Sequence, residues 1–141
     1  MVALLKKLLD LMPHEPGIEL PPKVFKDMEG EIIDYTDGQS LTVRFPNKER
    51  YENPLGMMQG GMITAAIDNT IGPLSYILAP PSVTKELTTA YKRPVTKSDK
   101  FIEVVASLTE KTSTGLLLKA EVRNEQGKLV ATANSEHVFV R

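Results

Sequence analysis

The chain contains no cysteine and no tryptophan, only two histidines, and few aromatics, 6% of its residues. Without cysteine there can be no disulfide, no thiolate metal site and no cysteine nucleophile. His14 and His137 are too few for a His-rich metal site, and nothing in the linear sequence points to a Ser-His-Asp triad. An excess of charge is missing too. The net charge is -1 over 141 residues, so no global field favours nucleic acid or an anionic membrane. No apolar run is long enough to span a bilayer. Met1 to Met12 carries no small-residue cleavage site of a secretory signal, and the expected location is cytoplasmic.

What remains is the make-up of an ordinary globular protein, 41% hydrophobic and 25% charged, with enough chain for one domain and a real core. Leu4, Leu5, Leu8, Leu9, Leu11 and Met12 fit an amphipathic helix. Such a helix is expected to dock on the domain surface; a lid over a pocket and a partner-binding helix are the alternatives. Pro13 ends it, and a Pro-rich connector runs to Pro22. The expected division is residues 1–22 for helix and connector, and 23–141 for the main domain.

Glu31 to Tyr35 and Ser40 to Phe45 are short β-like runs around Asp37-Gly38, a favoured hairpin pair. Four more runs follow later: Val83 to Tyr91, Phe101 to Thr109, Leu116 to Arg123 and Leu129 to Val140. In the third, Leu116, Leu118, Ala120 and Val122 alternate with Lys119, Glu121 and Arg123, giving one buried and one wet face. Short links imply antiparallel pairing of consecutive strands.

Between hairpin and strands lies the most informative stretch, Asn53 to Asn69. Gly60 and Gly61 open an apolar helix that lacks a Ser, Thr, Asp or Asn cap. Its first N–H groups are therefore free for a ligand oxygen. Asp68 sits two turns in, among Ala65, Ala66, Ile67 and Ile71, where an unpaired charge is expensive. The helix reads as apolar almost all round and so buried on most sides. Pro73 is expected to kink or end it near Gly72. A single sheet wrapped around this one helix, an α+β fold, accommodates every element. Taken singly the residues leave other roles open: Asp68 as a cap after a kink, the glycines as close-packing positions, Asn53-Pro54 as a turn pair, Thr84 as an ordinary strand residue.

Together these residues resemble the hotdog-fold acyl-CoA thioesterases, especially the phenylacetate-degradation thioesterase-like branch. Asn53, Gly60, Gly61 and Asp68 stand at the family's spacings, with Gln59 where the family usually has His. Thr84-Lys85-Glu86-Leu87 and Tyr91-Lys92-Arg93-Pro94 match a second motif. The resemblance is best from about Arg50 to Val140. It implies a hotdog fold, here with an extra N-terminal helix, and hydrolysis of an acyl-CoA thioester without metal or other cofactor. By carry-over, the Gly60 N–H polarises the thioester carbonyl, Asp68 is base or nucleophile, Asn53 positions thioester or water, and Thr84 orients the water. Gln59, Gly61, Met58, Lys92 and Arg93 are the expected substrate contacts, Gln59 in an orienting role because it cannot titrate.

Gly60 and Asp68 are eight positions apart, about 12 Å at roughly 1.5 Å per residue, so one helix cannot bring both to one carbonyl. Two antiparallel helices across a two-fold axis can. The resemblance implies the same homodimer, with two shared sites, and such dimers commonly pair into tetramers. The expected partners are therefore an acyl-CoA and a second copy of the chain, with neither nucleic acid nor membrane. A non-catalytic hotdog protein that binds acyl-CoA or acyl chains is the main rival, favoured by Gln59 and opposed by Asp68. A hydratase is a weaker one, because neither histidine lies in a segment resembling hydratase motifs. His137, near the end of the last strand, reads as a packed or surface histidine.

Overall fold

In the computed structural model, which describes residues 2–140, apolar alternation builds one six-stranded antiparallel sheet. Its strands are β1 (Glu31–Thr36), β2 (Ser40–Pro46), β3 (Ser82–Tyr91), β4 (Phe101–Lys111), β5 (Gly115–Asn124) and β6 (Leu129–Phe139). Among the described residues three α-helices accompany them, α1 (Val2–Leu11), α2 (Lys23–Asp27) and the long α3 (Gly60–Leu78), with a single 3-10 turn at Glu49–Tyr51. Met1 and Arg141, the outer ends of the expected helix and domain, lie outside the described residues.

The strand order is β1-β2-β4-β5-β6-β3. This corrects one expectation. β3 does not pair with its successor β4 but with β6, at the far end of the sheet, while β4 pairs with β2. The segment from Lys92 to Lys100 that joins β3 to β4 is long enough to change strand neighbours, so it does not force a hairpin. The result leaves β3 as an edge strand.

The inner face of the sheet supplies Leu41, Val43 and Phe45 from β2, Ile102 and Val104 from β4, Leu116 and Leu118 from β5, and Ala131 and Ala133 from β6, all buried. Helix α3 lays Ile63, Ala66, Ile67, Thr70, Ile71 and Leu74 against this face. These positions follow the i, i+3, i+4, i+7 rhythm of one helical face. Helix α3 does not stop at Pro73, which sits buried inside it. An interior proline costs about 3 kcal/mol. Burial of Pro73 and Leu74, and the Ser75 hydroxyl donating to the Gly72 carbonyl at 2.6 Å, help the helix continue. Helix α1 docks as expected, with Leu8 and Met12 buried in the core and Leu4, Leu5 and Leu9 packed against it. The short helix α2, which the sequence reading left unassigned, buries Phe25 edge-on against Phe45.

Candidate active site

The start of α3 has no side-chain cap. Gln59 is the N-cap residue, exposed, and its side chain makes no capping hydrogen bond. Its own carbonyl accepts from Met62 and Ile63. The N–H groups of Gly60 and Gly61 have no intrahelical acceptor. Two neighbours hold this end in place. The Gln59 N–H donates to the Tyr51 carbonyl at 2.8 Å, and the Tyr91 hydroxyl donates to the Gly60 carbonyl at 2.9 Å. A Cβ on Gly60 would come within 3.2 Å of the Tyr91 ring, so a larger residue there requires the ring to give way by a few tenths of an ångström. Tyr91, the aromatic of the second motif, is thus a brace for the helix start, a role the sequence did not reveal.

Asn53 organises the loop before the helix. Its Oδ1 accepts from the Leu55 N–H at 2.9 Å and the Met57 N–H at 3.1 Å, while its own N–H donates to the Met57 carbonyl. The amide Nδ2 is left for another acceptor. Met58 is 4% exposed and belongs to the core, tied by its N–H to the Val95 carbonyl. Gly61 is exposed, with open space where a Cβ would stand. Lys92 and Arg93 follow β3 with exposed side chains, their backbone N–H groups both bonded to the Val130 carbonyl. Lys85 and Lys97 pair instead with Glu136 and Glu52.

The environment of Asp68 departs from expectation. It is exposed, not set among buried apolar groups. Ala66, Ile67 and Ile71 turn toward the sheet, and the helical phase carries Ala65, Asp68, Asn69, Gly72 and Tyr76 to the opposite side. There they line a cavity of about 420 Å³. Its other walls are Ser82, Val83 and Thr84 of β3, His137 of β6, and Pro22 and Val24 next to and within α2.

Sheet register explains the meeting of these residues. Thr84 stands opposite His137, and a β-bulge between Thr84 and Glu86 shifts the pairing just beyond. Bulges of this kind re-aim side chains next to functional sites. His137 is buried, 3% exposed, with Nδ1 3.2 Å from the Ser82 hydroxyl and Nε2 3.4 Å from the Thr84 hydroxyl. Burial pushes its pKa below the ordinary imidazole value, while the nearby Asp68 charge works in the opposite direction. The structure therefore brings together Asp68, Thr84 and a histidine that the sequence reading set aside. Within the chain it keeps Gly60 and Asn53, at the other end of α3, away from them. The available signal was the polar pair Ser135 and His137, ending an inner face that begins with Ala131 and Ala133.

Among the described residues no group of three or more His, Asp or Glu is placed to hold a metal, and no helix is long and apolar enough to cross a membrane.

Residues 55–131 match the family model described as the thioesterase superfamily. A protein of Saccharolobus solfataricus named as a candidate esterase is 31% identical over 121 residues, covering 84% of each chain. A Ralstonia eutropha structure described as a candidate thioesterase related to phenylacetic acid degradation superposes with a TM-score of 0.78 at 25% identity, over 87% of this chain and 94% of that one. A Streptococcus mutans protein bound to acetyl-CoA has the same fold, with a TM-score of 0.73 at 17% identity, over 89% and 95% of the two chains.

Proposed function

The chain belongs to the thioesterase superfamily, a hydrolase of the hotdog fold and the phenylacetate-degradation thioesterase-like branch, and from that premise we propose that it hydrolyses acyl-CoA thioesters at sites shared between two subunits. The observation that carries the reading is the pairing of two incomplete half-sites on one helix. At one end of α3 the Gly60 and Gly61 N–H groups are uncapped; further along, Asp68 and Thr84 line a cavity.

Each half supplies what the other lacks. A preorganised donor aimed at the developing oxyanion contributes about 3–4 kcal/mol, and the positive end of the helix dipole adds to it. The Asn53 amide, next to this end, would steady the same carbonyl. Asp68 acts as general base. It takes a proton from water as the water oxygen attacks the thioester carbon; the tetrahedral intermediate then collapses, the C–S bond breaks, and CoA leaves as thiolate. Lys92 and Arg93, exposed beyond β3, suit the phosphates of CoA. The acetyl-CoA bound to the Streptococcus mutans protein supports a CoA-bearing substrate.

The two-fold arrangement rests on the separation of Gly60 and Asp68 along α3 and on the free edge of β3. Val83 and Tyr91 on this strand are 56% and 51% exposed. An edge strand of this length, bare on one side, is a ready template for pairing with a second copy.

The test is thiol release from a panel of aromatic, medium-chain and long-chain acyl-CoAs by the parent and by Asp68→Asn. The expected result is turnover that Asp68→Asn lowers by about 10²–10⁴-fold, the scale of a lost general base, with the fold intact. Equal rates would remove Asp68 from its role. Binding of acyl-CoA without any hydrolysis would favour the second reading, a non-catalytic acyl-CoA binding protein, for which Gln59 in place of the family His is the specific argument.

A further inference from the structure

Gln59 cannot titrate, yet the cavity around Asp68 holds a histidine from an unrelated part of the chain. We propose that His137 is a positioning residue for the hydrolysis: its Nδ1–H donates to the Ser82 hydroxyl, its Nε2 accepts the Thr84 hydroxyl proton, and the oriented Thr84 oxygen holds the attacking water beside Asp68. This rests on the thioesterase reading of the same site.

The proposed tautomer gives the chain of contacts its direction. With Nδ1–H donating to the Ser82 hydroxyl at 3.2 Å, Nε2 carries the lone pair facing Thr84 at 3.4 Å. The Thr84 hydroxyl then donates toward the ring, and its oxygen lone pairs are left for a water hydrogen. Asp68 can accept the other. A water held by two acceptors keeps a lone pair for the carbonyl carbon. Ser82 and His137 are 6% and 3% exposed, which shields the bond between them from bulk water; Thr84 is exposed, open to the attacking water, and its register opposite His137 fixes their spacing in the backbone.

Protonation reverses the device. An imidazolium donates from Nε2 as well, which turns the Thr84 proton outward against the water. Burial keeps His137 neutral to lower pH than an ordinary imidazole, against the pull of Asp68. The groups facing it are Asp68 and Tyr76, which line the cavity from α3, the hydroxyls of Ser82 and Thr84 from β3, and apolar Leu116 opposite on β5. Asp68 is the one carboxylate among them.

The experiment is steady-state kinetics on the best acyl-CoA of the panel, across pH, for the parent, His137→Leu, His137→Gln, Thr84→Val and the Thr84→Val/His137→Leu pair. Asp68→Asn serves as the control for the reaction itself. His137→Leu should lower kcat about 10–100-fold, the cost of a misplaced reactant, with KM changed less than about twofold. His137→Gln, whose amide still reaches the Thr84 hydroxyl, should recover most of that loss and no longer lose activity as pH falls through the imidazole range. In the Thr84→Val background, His137→Leu should add nothing. Parental kcat in His137→Leu, or a full additional loss in the Thr84→Val background, overturns the positioning role while Asp68-dependent turnover leaves the thioesterase reading standing. If His137→Leu does not fold, the pH profile of His137→Gln decides: a profile identical to the parent's overturns the proposal. A parent without thioesterase activity removes both readings together.

Discussion

Asp68, Thr84 and His137 come from three elements and meet only because β3 lies beside β6 and α3 crosses their ends. His137 also gives the protein a pH-dependent stability. Its folded-state pKa is lowered, mainly by burial, so the unfolded chain takes up the proton first, near the ordinary value of about 6.5. The favourable contribution of the neutral ring is complete above that value and is lost as pH falls through the folded pKa. Urea midpoints should therefore drop between about pH 8 and about pH 5.5, and His137→Gln should shrink the drop. An unchanged drop in the variant would assign the acid sensitivity to other groups.

Helix α3 shows what its sequence could and could not disclose. The missing cap, the paired glycines and the free first turn were legible because they are local. The phase of Asp68 was not. Hydrophobic neighbours in sequence suggested burial, but a side chain's surroundings depend on which face of α3 the sheet covers, and that is a tertiary fact. The same limit hid His137, 69 positions from Asp68, while strand runs set by alternation came out within a residue or two of the observed β1 to β6. The strand order did not, since pairing across the Lys92 to Lys100 link depends on where the helix sends the chain. The open helix start yields a prediction of its own. Gln59→Ser should cap α3 and raise stability by about 1 kcal/mol, yet lower kcat, because its hydroxyl would take the Gly61 N–H, one of the two donors offered to the oxyanion. Calorimetry with kinetics on one preparation checks both signs. A stabilised variant with parental kcat would mean that the Gly61 N–H takes no part in the reaction.

At the scale of the whole molecule, the proposed function makes each chain half of two sites and a second copy part of the chemistry. In the proposed closed two-fold pair, the start of one α3 would meet the Asp68 cavity of the other and the contact would repeat, giving two equivalent sites. The most direct measurement is complementation in mixed dimers. Asp68→Asn and Gly60→Val, each inactive alone, are combined under conditions where subunit exchange is verified. The mixed dimer then holds one site with both Asp68 and Gly60 intact, and one with neither. A one-to-one mixture should recover about a quarter of the parental rate, since half of the dimers are mixed and each has one working site. No recovery despite complete exchange would contradict a site shared between subunits, and with it the central claim.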